Sequence, residues 1–429
     1  MVVFEVHTSA LFDPKTKCVR KNVAITVDSQ SGLIVGVRER TDEEEKGLQV
    51  NLDDVDLRGK FVMPGLVDAH THVFLHSYDE TDALRQKRDE SMTERIVRAV
   101  NHCHTALMAG YTTYRDLGSE GMQECDANLR DAIARGLTSG PRLFVATKVL
   151  ASTGSFEART ENNLGGHCLP AQADAVDGPE ECRKAVRRRI AAGADIIKFF
   201  ADYRRRIMRS PPAQQHPYKP SVLHPPKEPN ADYMVFSQEE MDMIVREANL
   251  ANCPAVAHCC TLEGAMGAVE AGVTSIEHGY FATDELFQRM VAKNVIFVPT
   301  LAIAEKLHAK RFHSHILPQA KRAHELGVRL ACGGDTGTYP HGDNVRELEL
   351  MIEAGVPVAD VLESCTMGGW EACGGDLSGR RFGWFEEGCQ ADIVALDEDP
   401  HVSATALRNV NFVMRDGTIF KLNNKPWRI

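Results

Sequence analysis

His70 and His72 stand two apart in the run Phe61-Val-Met-Pro-Gly-Leu-Val-Asp-Ala-His-Thr-His72. On a strand, residues i and i+2 share a face, so both imidazoles can reach one metal ion at the strand's end. A bare His-x-His also occurs on exposed strands that bind nothing. Here the apolar run ahead of it reads as a buried strand, and catalytic groups gather where such strands end. Residues of ligating type recur downstream: Lys198 in Ala194-Asp-Ile-Ile-Lys-Phe-Phe200, His258 in Pro254-Ala-Val-Ala-His258, His278 in Thr274-Ser-Ile-Glu-His-Gly279, and Asp335 in Leu330-Ala-Cys-Gly-Gly-Asp335. Each alone has an ordinary explanation, as a hydrogen-bonded strand residue or a turn cap. Together they point to a metal centre.

Such a set needs elements that bring distant residues to one place. From residue 61, short apolar strand candidates alternate with segments of helical period at 94–109, 181–192, 239–251 and 318–326. The strand candidates are 61–72, 111–116, 142–149, 195–200, 254–258, 273–278, 295–300 and 328–335, and eight is the number that closes a parallel barrel. A doubly wound sheet is the alternative topology. A barrel delivers the ends of its first, fourth, fifth, sixth and eighth strands to one rim, where the ligand types lie. Residues 1–60 differ: alternating stretches such as Val23-Ala-Ile-Thr-Val27 and Leu33-Ile-Val-Gly-Val37, broken by Gly, Asp and Ser, read as a small β-domain.

Composition restricts the partners. With 429 residues, 43% of them hydrophobic, the chain can bury a large core, and its formal charge of −11 argues against nucleic acid or an anionic membrane as general partner. Small molecules fit better. No basic, apolar leader opens the sequence and no apolar run approaches membrane-spanning length, so a cytoplasmic protein is expected. The 12 cysteines include no Cys-x-x-Cys pair, which fits reduced thiols rather than a disulfide framework or a structural zinc site. Cys259 and Cys260, beside His258, are read as core packing.

The motifs resemble those of the amidohydrolase superfamily in its binuclear subtype, across nearly the whole chain. Pro64-Gly-Leu-Val-Asp-Ala-His-Thr-His72 resembles the family's opening motif, and Gly388-Cys-Gln-Ala-Asp-Ile-Val-Ala-Leu-Asp397 its C-terminal strand signature. The resemblance implies an α/β fold: a distorted (β/α)8 TIM barrel over 61–387, with 1–60 and 388–429 forming one composite β-sandwich. It also implies two divalent metal ions, zinc being the expected identity. His70, His72 and Asp335 would hold one and His258 and His278 the other, with Lys198 bridging them. Within the superfamily the likeness is greatest to prolidase-like and ochratoxinase-like amidases, and imidazolonepropionase is a further relative.

An ordinary lysine ammonium, with a pKa of about 10.4, cannot bind a cation. Burial favours the neutral amine, which reacts with carbon dioxide to give an anionic, bidentate carbamate, N6-carboxylysine. The plainer role for Lys198 is an ion pair with Asp195 or Asp202; the other ligands favour the carbamate. Two cations acidify a water and polarise a carbonyl, and Asp335, set against them, is suited to carry the proton from water to a leaving amine. The expected activity is cleavage of a C–N bond in an N-acyl amino acid or dipeptide-type substrate, one carrying a carboxylate. Three rivals are weighed. Lactone or ester hydrolysis fits the same centre. A mononuclear deaminase or imidazolonepropionase-like enzyme does not need Lys198. A non-catalytic scaffold of this fold would have lost ligands.

Arg115, in Thr112-Thr-Tyr-Arg-Asp-Leu-Gly118, His167 in Gly165-Gly-His167 and Tyr203 after the fourth strand resemble substrate-side positions of prolidase-like members. Arg115 has an equal claim to be a structural ion-pair residue, and His167 is followed by Cys where those relatives commonly have Gly. His341, in Pro340-His-Gly-Asp343, is expected behind a ligand or at the substrate. Residues 202–235 hold seven of the 19 prolines and a basic cluster at Arg204, Arg205, Arg206 and Arg209, so they read as a long loop. It is expected either as a lid attracting a substrate carboxylate or as a contact within a homo-oligomer.

Overall fold

The computed structural model describes residues 3–155, 171–204, 214–215, 217–221, 223–224 and 232–427. Its centre is an array of parallel strands with helices between them. Leu66–Thr71, Tyr111–Asp116 and Arg142–Val145 form one three-stranded parallel arc. A second, six-stranded arc runs Ala173–Ala175, Val149–Ala151, Ile197–Phe200, Ala255–Cys259, Ser275–His278 and Ile296–Val298, again all parallel. Parallel neighbours need crossovers, and these are supplied by helices such as Met92–Met108, Gly178–Ala191, Gln238–Leu250 and Leu262–Ala271. Each of these helices lies within about three residues of its expected bounds where one was expected.

The helices start where the sequence offers caps. Ser237 and Glu240 make a reciprocal capping box at the start of Gln238–Leu250. Thr261 caps Leu262–Ala271, which stops at Gly272 with φ 87°. The strands are short and aliphatic on both faces: Ala255, Val256, Ala257, Ile276 and Val298 are all buried.

Two expected strands are broken. The 61–72 run divides at Gly65: Phe61–Pro64 pairs antiparallel with Ile393–Leu396, while Leu66–Thr71 joins the three-stranded arc. Gly65 sits against Thr112, whose Oγ1 would lie 2.1 Å from an added Cβ, so no other residue fits there. The eighth segment, 328–335, is not a regular strand. It spans the gap between the last and first strands by isolated bridges, Phe297 to Leu330 and Thr71 to Thr336. Gly333 packs on the backbone of Ala69 and His70, and Asp335 has φ 64°, which breaks strand geometry. The arcs therefore do not make one continuous closed ladder, as an ideal barrel would.

Two further sheets come from the chain ends, the first from N-terminal strands alone and the second from both ends. Leu33–Glu39, Val23–Asp28, Val3–His7 and Val55–Asp56 form a four-stranded sheet. A seven-stranded sheet joins N-terminal strands Ala10–Asp13, Cys18–Lys21 and Phe61–Pro64 side by side with C-terminal strands from Ile393–Leu396 to Lys425–Pro426, the seam running between Phe61–Pro64 and Ile393–Leu396. Val6, Ile25 and Ile34 of the first sheet share an apolar cluster with Leu11, Val62, Ile393 and Phe412 of the second.

Candidate metal centre

The parallel array brings His70, His72, Lys198, His258, His278 and Asp335 to the carboxyl ends of its strands, where all six line one cavity of about 440 Å³. Ring centroids lie 5.4 Å apart for His70 and His72, 5.0 Å for His70 and His278, and 4.4 Å for His258 and His278. His278 at φ 74° and Asp335 at φ 64° are held in the left-handed region that non-glycine residues seldom enter, strain of a kind that concentrates at functional sites.

His70, His72 and His278 are each oriented through Nδ1, which leaves Nε2 free of that anchor. His70 Nδ1 lies 2.8 Å from Glu277 Oε2. His72 Nδ1 faces the Gly118 carbonyl at 3.2 Å, and His278 Nδ1 the Thr300 hydroxyl at 2.9 Å. His258 Nε2 approaches Cys260 Sγ at 3.4 Å. Asp335 Oδ1 lies 3.2 Å from His72 Nε2 and 3.8 Å from His70 Nε2, distances for an ion pair, yet makes no hydrogen bond. Lys198 Nζ is buried with no hydrogen-bond partner. A buried amine without a hydrogen-bond partner, facing imidazoles and a carboxylate, is costly unless something joins them.

The protonation states suit a cation. Burial, followed by the charge of Lys198, holds His70 and His258 well below the ordinary imidazole range, and burial with His258 as neighbour does the same for His278. Neutral rings keep the lone pair a metal needs. Burial also lowers Lys198, to about 8, against the pull of Glu277 and Asp335, so a neutral amine is accessible near neutral pH. His72 goes the other way: burial opposes its charge, but Glu120 and Asp335 outweigh burial and raise it to about 9. His70, His72 and Asp335 offer three donor atoms within 4.8 Å of one another, and Asp202, His258 and Cys260 offer a second such group. Asp202 is already committed: its oxygens accept from Cys260 N at 2.7 Å, Thr261 N at 2.9 Å and Thr261 Oγ1 at 2.8 Å. That also corrects the alternative pairing of Lys198 with Asp202 or Asp195, since Asp195 is occupied by Arg130 at 2.7 Å.

The substrate-side expectations divide. Tyr203 lines the cavity, at the head of the ribbon formed by Asp202–Arg204 and Asp232–Met234. Arg115 does not reach substrate. It is fully buried below the ligands, donating to Ala69 O, Ser275 Oγ, Ala372 O and, at 2.7 Å, Glu277 Oε1. His341 lies outside the cavity wall, stacked on His102 at 4.3 Å with Nε2 facing the Leu75 carbonyl. His167 and most of the 202–235 loop, with Arg205, Arg206 and Arg209, fall outside the described residues. Cys260, read from sequence as packing, is half-buried and lines the cavity. Sequence reasoning passed over Glu277, Glu120 and Lys87. Glu277 was findable, since it adjoins His278 and faces the same way as Ser275 on that strand.

Parallel strands whose carboxyl ends hold four imidazoles, a carboxylate and an unpaired amine define a metal-binding hydrolase of the barrel-like α/β class. The chain belongs to the Amidohydrolase family, whose profile matches residues 61–422. Ochratoxinase from Aspergillus niger is 28% identical over 397 residues, which cover 84% of this chain and 75% of that protein. The crystal structure of A. niger ochratoxinase superposes with a TM-score of 0.78 at 26% identity, covering 98% of this chain and 96% of that one. A Xaa-Pro dipeptidase with methionine bound in its active site gives a TM-score of 0.77 at 28% identity, covering 98% and 100%. Family and neighbours together support a hydrolase acting on amide bonds. No helix among the described residues is long and apolar enough to cross a membrane.

Proposed function

We propose that this chain hydrolyses the amide bond of an N-acyl amino acid or dipeptide-type substrate at a binuclear centre. His70, His72 and Asp335 would hold one divalent cation, His258 and His278 the other, and Lys198, carboxylated by carbon dioxide, would bridge them; zinc suits the mixed imidazole and oxygen donors. The observation that carries the reading is Lys198 Nζ, buried without a hydrogen-bond partner beside the neutral imidazoles of His70, His258 and His278, with Asp335 held opposite at ion-pair distance from His72. Carboxylation forms a bond from Nζ to carbon, releases one proton, and turns a buried amine without a partner into an anionic two-oxygen donor.

Bound there, two divalent cations supply the acidity that readies water near neutral pH and the polarisation that makes an amide carbonyl electrophilic. The protein supplies the rest. Asp335 accepts the water proton at a carboxylate oxygen and returns it to the departing amine nitrogen. Phe200, Tyr203 and Tyr280 form an aromatic wall beside His258 and His278, with ring centroids 4.6 Å, 5.0 Å and 5.6 Å from those imidazoles. That wall excludes water and holds an apolar side chain of the substrate. Arg204, across the ribbon from Asp232, lines the same cavity and is placed to meet a substrate carboxylate.

The test combines metal analysis with a substrate panel of N-acyl amino acids, dipeptides and lactones. About two divalent ions per chain, amide turnover, and loss of both with Lys198→Ala are expected. Full activity in Lys198→Ala, or turnover of lactones alone, overturns the reading.

A further inference from the structure

The two histidines of the His-x-His pair each have a glutamate behind them, but the glutamates are secured differently. Behind His70, Glu277 is locked by Arg115, which stands on the strand beside that of His70, and both are wholly buried. Behind His72, Glu120 Oε1 lies 3.2 Å from Nδ1, beside the Gly118 carbonyl that shares that nitrogen. Its other oxygen pairs with the ammonium of Lys87. Lys87 belongs to the helix Ala83–Asp89, which forms part of the cavity wall through Ala83, Leu84 and Lys87 itself. The same ammonium donates to Gln172 Oε1 at 2.7 Å.

Glu120 is held in place at some cost. Its φ of 53° is left-handed, and its backbone carbonyl is gripped by Arg95 Nη2 at 2.8 Å. Glu120 and Lys87 are 15% and 6% exposed, so their pairing is poorly screened by water. A carboxylate behind a ligating imidazole enriches the far nitrogen and fixes the ring, which strengthens the ligand. Lys87 keeps that carboxylate aimed at Nδ1.

We propose that Glu120, held by Lys87, is a positioning residue for His72, and that the pair sets how tightly the His70–His72–Asp335 end of the site keeps its cation. The proposal rests on the binuclear reading above. It adds that one end of the centre is tied through an ion pair to a wall helix, whereas at the other end His278 meets the Thr300 hydroxyl and His258 the Cys260 thiol.

Chelator titration of zinc-loaded protein, followed by metal content, tests it. Glu120→Gln should lose one of its two ions at about 10- to 100-fold lower free chelator than wild type, keeping the second as wild type does. Lys87→Met should shift the same ion in the same direction by less, and Lys87→Arg should restore it. With Co(II) in place of zinc, Glu120→Gln should also change the visible absorption of one ion only. Unfolding midpoints confirm that the variants are folded; if Glu120→Gln fails to fold, Lys87→Met is judged by the same titration. Folded variants that lose both ions together, or neither earlier than wild type, overturn the proposal. A wild type that holds no metal removes the binuclear reading and the proposal with it.

Discussion

The floor and the wall of the cavity are built on different principles. The floor is borne by strands: His70, Lys198, His258 and His278 sit on four parallel strands, the last three in continuous register with one another and the first in a shifted register with Tyr111–Asp116. The wall comes from what lies between strands: the helix Ala83–Asp89, the ribbon Asp202–Arg204 with Asp232–Met234, and Ile303, Leu307 and His308 around the helix Leu301–Leu307. Floor groups are matched to one another, whereas wall groups run from buried Lys87 and Ile303 to exposed Leu307 and are chemically mixed. The lesson is a division of labour, with reactivity set by the sheet and substrate choice by its connections.

Substitutions can break or sharpen that division. The largest effect belongs to the floor: Asp335→Asn should lower kcat by about 10²- to 10⁴-fold while KM moves little, as steady-state kinetics would show. Below the floor, Glu277→Gln leaves Arg115 as an unpaired buried cation and should cost about 3–5 kcal/mol in denaturant unfolding. An unfolding curve like that of wild type would mean that Arg115 finds another anion. The metal-stripped protein carries a pH signature. His72 is raised from 6.5 to about 9 by Glu120 and Asp335, so its contribution is fully present below pH 6.5 and lost as pH rises through about 9. The thermal midpoint should fall across that window, and His72→Asn should flatten the fall. The smallest effects belong to the wall: Arg204→Ala should raise KM roughly tenfold for substrates with a free carboxylate, with little change for their carboxamides and kcat within about threefold. A collapse in kcat would erase the distinction between floor and wall.

Much of the floor was legible because strand-end ligands announce themselves by residue type within short apolar runs. The same runs located most of the strands, and helical period located Met92–Met108 and Gln238–Leu250. What escaped were pairings over long separations. Arg115 and Glu277 meet across 162 positions, so Arg115, whose type suits a substrate carboxylate equally well, could not be placed from its neighbours. The irregular eighth segment escaped because Gly333 and Gly334 are shaped by contact with other chain segments, not by local preference. The wall was least legible, since Lys87 and Glu120 look like ordinary surface charges until the helix folds over them.

The break at Gly65 has a mechanical meaning. Phe61–Pro64 is hydrogen-bonded to Ile393–Leu396, and one residue later the same backbone becomes the strand that carries the histidine pair. The C-terminal strands thus act as a buttress on the first ligand strand, though they supply no ligand. A cut near residue 390, or a load drawn through the C-terminus, would therefore reach the reaction centre as slack in His70 and His72 while leaving every reactive side chain in the molecule.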